Sequence, residues 1–211
     1  MIRIVDYGMG NLRSVQKALE RLGFQAMLTQ DPADVSAADG LILPGVGAFG
    51  AAMANLERLG LVGAVRDFAA SGRPFLGICL GMQLLLSHSE EQGVFRGLDI
   101  IKGRVVRFFQ PEDAGAATAN LKVPHMGWNS LHKMPDCPLL DGVPEAASVY
   151  FVHSYYAVPP DEAVAATTSY GIDFCSVIRK GNVFATQFHP EKSGAIGLRM
   201  LRNFACMTRG D

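Results

Sequence analysis

Pro74-Phe75-Leu76-Gly77-Ile78-Cys79-Leu80-Gly81-Met82-Gln83 reads as a buried strand that turns sharply into a helix. A cysteine stands at the turn, with a glycine two residues to either side. In the related serine pattern Gly-x-Ser-x-Gly the nucleophile sits on a strained strand-to-helix elbow, where bulky neighbours would block the backbone. Glycine has no Cβ and so allows both the tight turn and the close approach of a substrate. A cysteine at a helix N-terminus also lies near unpaired N–H groups and the positive end of the macrodipole, which favour the reactive thiolate. Free cysteine is equally a common core residue. The elbow by itself leaves a packing cysteine and a nucleophile as open readings of Cys79.

Outward from this stretch, the first half of the chain alternates short apolar strands with amphipathic helices. Ile2–Val5 reads as a strand, followed by a glycine-rich turn and a helix over about 11–22, on which Leu12, Val15, Leu19 and Leu22 recur at helical spacing. Ala26–Leu28 and Leu41–Leu43 read as strands, and helical patterns cover about 50–70 with a break near Gly60. Such alternation predicts a largely parallel sheet covered on both faces. The second half reads as strands over 100–109, 123–131, 149–158 and 163–168. Two more, Ser176–Arg179 and Val183–Gln187, flank a hairpin turn at Lys180-Gly181-Asn182, and a helix closes the chain over 195–207. Residues 110–120, rich in Ala, Gly and Asp, read as a mobile loop. The expectation is one α/β domain over residues 1–211 with an antiparallel β extension.

A chain of 211 residues, 49% apolar and 18% charged, suits one well-covered α/β domain and is short for two. Its formal net charge of −1, with no basic run, gives no electrostatic footprint for nucleic acid. The least charged stretch, 40–56, is interrupted by Pro44, Gly45, Gly47, Gly50 and Asn55, whereas a membrane-spanning helix needs about 20 apolar residues. The N-terminus meets Asp6 and glycines before a signal-peptide core forms, which predicts a cytoplasmic protein. Cys79, Cys137, Cys175 and Cys206 lie far apart with no Cys-x-x-Cys pair, arguing against a disulfide framework or zinc ribbon. Cys175 and Cys206 read as packing residues.

A thiol nucleophile needs a base, and the base needs an orienting group. Thr186-Gln187-Phe188-His189-Pro190-Glu191 supplies both at the end of an apolar strand. Two-residue spacing in an extended segment brings His189 and Glu191 to the same side, so that Glu191 holds one ring nitrogen while the other faces Cys79. Read alone, the pair is equally a solvated strand end. Acyl transfer also needs donors for the oxyanion. Leu80 N–H follows the nucleophile, and a second donor comes from Leu43-Pro44-Gly45-Val46-Gly47, at the strand edge where open α/β sheets bind ligands. The flanking glycines make the Gly45–Val46 peptide easy to reorient, and the same residues also fit an ordinary turn.

Other residues fit less well. His125 and His132 match no metal signature, His88 reads as a surface residue, and His153 lies in Phe151-Val152-His153-Ser154-Tyr155, where Ser154 and Tyr155 are placed to line a pocket. Gly8-Met9-Gly10-Asn11 lacks the third glycine of a dinucleotide loop, since Arg13 stands there. No cofactor and no metal are expected, and Asn11 reads as a helix cap.

Gly77-Ile78-Cys79-Leu80-Gly81-Met82-Gln83 and His189-Pro190-Glu191 resemble the nucleophile elbow and the His/Glu pair of the class I glutamine amidotransferases. Asp6–Leu12, Pro44–Gly50, Val123–Asn129 and His189–Gly194 are similar to the branch of that family that forms the glutaminase subunits of imidazole glycerol phosphate synthases. The resemblance covers essentially the whole chain. It implies a flavodoxin-like open sheet and a Cys79–His189–Glu191 triad that hydrolyses glutamine. The oxyanion would rest on Leu80 and on Val46 or Gly47, and Gly45, Gln83, Glu91, Ser154 and Tyr155 match substrate-holding positions. It also implies a heterodimer with a cyclase subunit built as a (β/α)₈ barrel, which uses the ammonia to make imidazole glycerol phosphate and AICAR. Asn11, Trp128 and Lys192 match positions facing that partner; read from the residues alone, they are a helix cap, a core aromatic and a surface charge. Two other readings stand beside this one: a stand-alone thiol hydrolase of similar fold, active without a partner, and a non-catalytic glutamine-sensing subunit, which would not require the trio.

Overall fold

The computed structural model describes residues 1–109 and 121–209, so the loop predicted over 110–120 lies outside the described residues. In chain order the elements begin with β1 (Ile2–Val5), α1 (Leu12–Arg21), β2 (Ala26–Thr29), α2 (Pro32–Ser36), β3 (Gly40–Gly45) and α3 (Phe49–Arg58). There follow α4 (Leu61–Ala70), β4 (Phe75–Cys79), α5 (Leu80–Leu84), β5 (His88–Ser89), β6 (Phe95–Arg96) and β7 (Arg104–Arg107). The second half comprises β8 (His125–Ser130), β9 (His132–Lys133), β10 (Ser148–His153), β11 (Tyr155–Val158), β12 (Val164–Tyr170), β13 (Ile172–Lys180), β14 (Val183–Thr186) and α6 (Gly194–Met207).

The main sheet runs β2-β1-β3-β4-β14 in parallel and continues antiparallel into β13, β11 and β7, with β5 and β6 at the far edge. β12 pairs with β13 and β9, while β8 and β10 form a separate two-stranded ribbon. The parallel part has the flavodoxin-like order, whose ligands gather at the carboxyl ends of the strands. Period-two alternation sorts its core. Ile2, Ile4, Ile42, Leu76 and Ile78 face α1 and α6, meeting Val15, Leu19, Leu201 and Phe204. Val5, Leu41, Leu43 and Phe75 face the opposite layer, with Val35 of α2, Phe49 and Leu56 of α3, and Val65 and Phe68 of α4. β3 and β4 are buried along their whole length, as strands covered on both faces must be. Among the described residues no helix is long and apolar enough to cross a membrane.

The predicted break at Gly60 is real: Gly60 adopts φ 67 between α3 and α4. The hairpin is also real, with Lys180 paired to Val183 across Gly181 and Asn182. Several expectations need correction. The strand predicted over 100–109 shrinks to Arg104–Arg107, and β5, β6 and α2 were not anticipated. Ser176–Arg179 is part of the longer β13. The strand predicted over 149–158 breaks at Ser154, because its two halves pair with different partners: β10 with β8, and β11 with β7 and β13. Asn11 does precede α1, but its side chain accepts no backbone N–H there; Oδ1 accepts the Ser14 hydroxyl instead, at 2.8 Å.

Candidate active site

Cys79 is the last residue of β4 and the first flanking residue of α5, with φ 55 and ψ −110. Positive φ is rare for a side chain with a Cβ and marks strain held by surrounding structure. The flanking glycines make that hold possible. A Cβ on Gly77 would lie 2.9 Å from the Gly81 carbonyl oxygen, and one on Gly81 would lie 1.7 Å from the Leu43 carbonyl oxygen. α5 therefore presses directly on the backbones of β4 and β3, and the cysteine is pushed to the sheet's carboxyl edge.

His189 follows β14, the parallel neighbour of β4, and so arrives at the same edge. Its backbone N–H donates to Tyr150 O at 3.0 Å, and Ser193 Oγ donates to His189 O at 2.7 Å. The ring is only 2% exposed, and Nδ1 lies 2.8 Å from Glu191 Oε1, whose own side chain is fully buried. Glu191 reaches the ring through a one-turn 3-10 helix at Pro190–Lys192, not through the extended segment that the spacing suggested. A carboxylate only accepts, so Nδ1 carries a proton and Nε2 is the nitrogen left for chemistry. Among the described residues Nε2 has no nitrogen or oxygen partner. Burial pulls the ring's pKa down, but hydrogen bonds to Cys79 and Glu191, with their charges, outweigh it and raise the value to about 9.

That shift has a stability consequence. A histidine raised from 6.5 to about 9 on folding stabilises the native state fully below pH 6.5 and loses that contribution as pH climbs through about 9. Melting temperatures of the wild type and Glu191→Gln are therefore expected to differ most below pH 6.5 and to converge above 9. A gap that widens with rising pH would contradict the assignment.

A cavity of about 410 Å³ opens over Cys79, within the range of small-molecule sites. Val46, Gly47, Leu80, Gln83, Glu91, Ser154 and Tyr155, each a site candidate from the sequence, line it. The break at Ser154 is what turns Ser154 and Tyr155 toward this wall. Glu91 Oε2 accepts the Phe49 N–H at 2.8 Å, which ties its loop to the start of α3. Gly45 lies beneath the wall, buried and paired with Cys79 across β3 and β4. A Cβ there would come within 2.1 Å of the Tyr7 hydroxyl, which donates to Pro44 O at 2.8 Å. Gly47 holds φ 100 on the exposed part of the same loop.

Two features were not anticipated. Gln187 is completely buried, and its Nε2 lies 3.8 Å from Cys79 Sγ. The only sequence signal was nearness, since Gln187 stands two residues before His189 in the segment that follows β14. His153 also lines the cavity. Its Nδ1 donates to Tyr155 O at 2.8 Å and its Nε2 lies 3.0 Å from His125 Nδ1. Burial lowers these two rings to about 3 and about 4, so both are neutral. Cys175 and Cys137 are buried and Cys206 half-buried; burial pushes the Cys175 thiol up to about 12.

Away from the cavity, Trp128 is 57% exposed and is no core aromatic. It packs edge-on to Tyr150 at 6.1 Å, and Lys192 Nζ lies 6.0 Å from the same ring. Met126, two residues along β8, is 61% exposed. Asn11 is half-buried at the start of α1, which packs against the 190–192 turn.

A cysteine elbow, a buried His–Glu pair and a cavity stand together at the carboxyl edge of a parallel sheet, the set of groups that thiol-dependent acyl transfer requires. Residues 3–207 match the family described as Glutamine amidotransferase class-I, and the chain belongs to that family. Its curated relatives include the imidazole glycerol phosphate synthase subunit HisH of Syntrophotalea carbinolica, 56% identical over 98% of this chain and 100% of that one. The subunit of the same name from Geobacter sulfurreducens is 55% identical, covering 98% of each chain. Among solved structures, one titled as a glutamine amidotransferase superposes with a TM-score of 0.74 at 21% identity, over 99% of this chain and 98% of that one, a likeness of fold.

Proposed function

We propose that Cys79, His189 and Glu191 hydrolyse glutamine and deliver the ammonia to a second subunit, as the glutaminase half of an imidazole glycerol phosphate synthase in histidine biosynthesis. The observation that carries this reading is the buried His189–Glu191 pair set against Cys79 at the floor of the cavity. His189 Nε2 takes the Cys79 thiol proton, and the resulting thiolate attacks the side-chain amide carbon of glutamine. Leu80 N–H, at the unpaired start of α5, and an N–H of Val46 or Gly47 stabilise the oxyanion, each such donor being worth about 10²–10³ in rate. Protonated His189 gives its Nε2 proton to the departing nitrogen, so ammonia leaves and a glutamyl thioester remains. His189, now neutral, activates water; its attack returns the thiol and releases glutamate. Gly45 shapes the wall, while Gln83, Glu91, Ser154 and Tyr155 hold the substrate, and the Glu91 carboxylate suits an ammonium group.

Only unprotonated ammonia is nucleophilic, which argues for a sealed route to the acceptor. The partner proposed is a HisF-type cyclase barrel, meeting the face that carries Asn11, Trp128 and Lys192, in the cytoplasm. The exposed Met126 and Trp128 side chains fit this role, since aromatic residues dominate interface energetics. Glutamine hydrolysis measured with and without the cyclase subunit tests the assignment. Turnover is expected to rise on complex formation. Trp128→Ala is expected to leave the melting temperature unchanged while weakening partner affinity about tenfold or more. Vigorous hydrolysis by the isolated chain, unaltered by the cyclase, would instead support a stand-alone thiol hydrolase.

A further inference from the structure

We propose that Gln187 is a positioning residue for the nucleophile: its side-chain amide donates a hydrogen bond to the Cys79 sulfur, in an orientation dictated by Gln83. The inference rests on the reading of Cys79 as the attacking atom. Gln187 directly follows β14, and its backbone N–H donates to Ser176 O at 2.9 Å, so its stem is fixed to β13. The side chain is completely buried, and Nε2 sits 3.8 Å from Sγ.

The direction of this amide follows from a backbone carbonyl. Tyr155 O can only accept, so the Gln83 atom lying 2.9 Å from it is the Nε2 donor. That same NH₂ group spends its second hydrogen on Gln187, 3.1 Å away, where it must meet an oxygen. Gln187 therefore turns its Oε1 to Gln83 and its NH₂ to the sulfur. A relay of fixed polarity runs from the cavity wall at Tyr155, through Gln83 and Gln187, to Cys79. A neutral thiol gains little from a donor at this distance. A thiolate gains more, because a hydrogen bond to a charged acceptor is shorter and about twice as strong. Gln187 thus favours the ionised sulfur and holds it at the cavity floor.

The test is the pH dependence of Cys79 alkylation by iodoacetamide in the full chain, followed on the Cys79 peptide by mass spectrometry. Gln187→Leu removes the donor at nearly constant volume, and Gln187→Glu replaces it with an acceptor. The rate of Cys79 alkylation at neutral pH is expected to fall about tenfold in Gln187→Leu and further in Gln187→Glu. In the complex, kcat for glutamine is expected to fall about tenfold with KM little changed. If Gln187→Leu fails to fold, Gln187→Met carries the same test. An unchanged alkylation profile in any folded variant overturns the proposal, because a residue that merely fills the core would leave the thiol titration where it is. The alkylation readout does not require glutamine turnover, so it separates failure of this inference from failure of the glutaminase assignment.

Discussion

Gly81→Ala is expected to leave little or no folded protein, although it adds a single methyl group inside a helix. The new Cβ would fall 1.7 Å from the Leu43 carbonyl oxygen and 2.8 Å from its carbonyl carbon. Both are backbone atoms of a strand buried over its whole length, so no side chain can swing aside. Relief requires α5 to lift from β3, which uncovers Leu80, Met82 and Leu84 from their apolar layer. Overpacking alone costs about 1–3 kcal/mol, and displacing a helix that carries such side chains adds to it. Against a total stability of about 5–15 kcal/mol this is a large fraction. Gly63, inside α4, provides the control. A Cβ there meets nothing within 4 Å, so Gly63→Ala is expected to be neutral or to stabilise by up to about 1 kcal/mol. In urea melts the Gly81→Ala transition should be absent or fall at much lower urea, while that of Gly63→Ala should stay in place or move higher. A Gly81→Ala protein that melts like the wild type would show that the elbow is not the tight junction described above.

The same elbow shows why the parallel half of the molecule was legible in the sequence. Its strands are continuous apolar runs, its helices carry clean helical periodicity, and glycine marks the break between α3 and α4. Local rules decide each of these. The second half is decided by partners far away in the chain. Residues 149–158 all favour extended structure, and only the pairing of one half with β8 and the other with β7 and β13 breaks them at Ser154. The five residues of α2 and the two-residue strands β5 and β6 are too short for periodicity to register, although Asp31 does cap α2 by accepting the Ala33 N–H at 2.8 Å.

The site follows the same division. Cys79 stood out through its own glycine-flanked elbow, and His189 and Glu191 through their two-residue spacing, both of them local patterns. Gln187 stood in the same quoted stretch without a role, since its meaning lies in contacts with Gln83 and Cys79, both more than a hundred residues distant in sequence. The His125–His153 pair was invisible for a like reason. β8 and β10 must first align in antiparallel register before the two rings meet.

Cys79→Ala is expected to remove glutamine-driven turnover by at least about 10³-fold, the scale on which loss of a covalent nucleophile is felt. The substitution keeps the Cβ and demands the same backbone conformation, φ 55, that the cysteine already adopts. It deletes only a sulfur that is nearly buried among His189, Gln187 and the cavity floor, so the fold and the Trp128 face should persist. His189 loses the largest of the influences that raise its pKa, and is expected to titrate lower in the variant than the value of about 9 it has beside Cys79. None of this touches a second subunit's ability to use ammonia that arrives from solution.

The most direct measurement sets the two ammonia sources side by side in one complex: product formation by Cys79→Ala with its cyclase partner, driven first by glutamine and then by ammonium salt at alkaline pH. Loss of the glutamine-driven reaction with an unchanged ammonia-driven one is the predicted result. Glutamine-driven synthesis persisting at the wild-type rate in Cys79→Ala would contradict the account, because the amide would then be cleaved by some group other than the cysteine at the elbow.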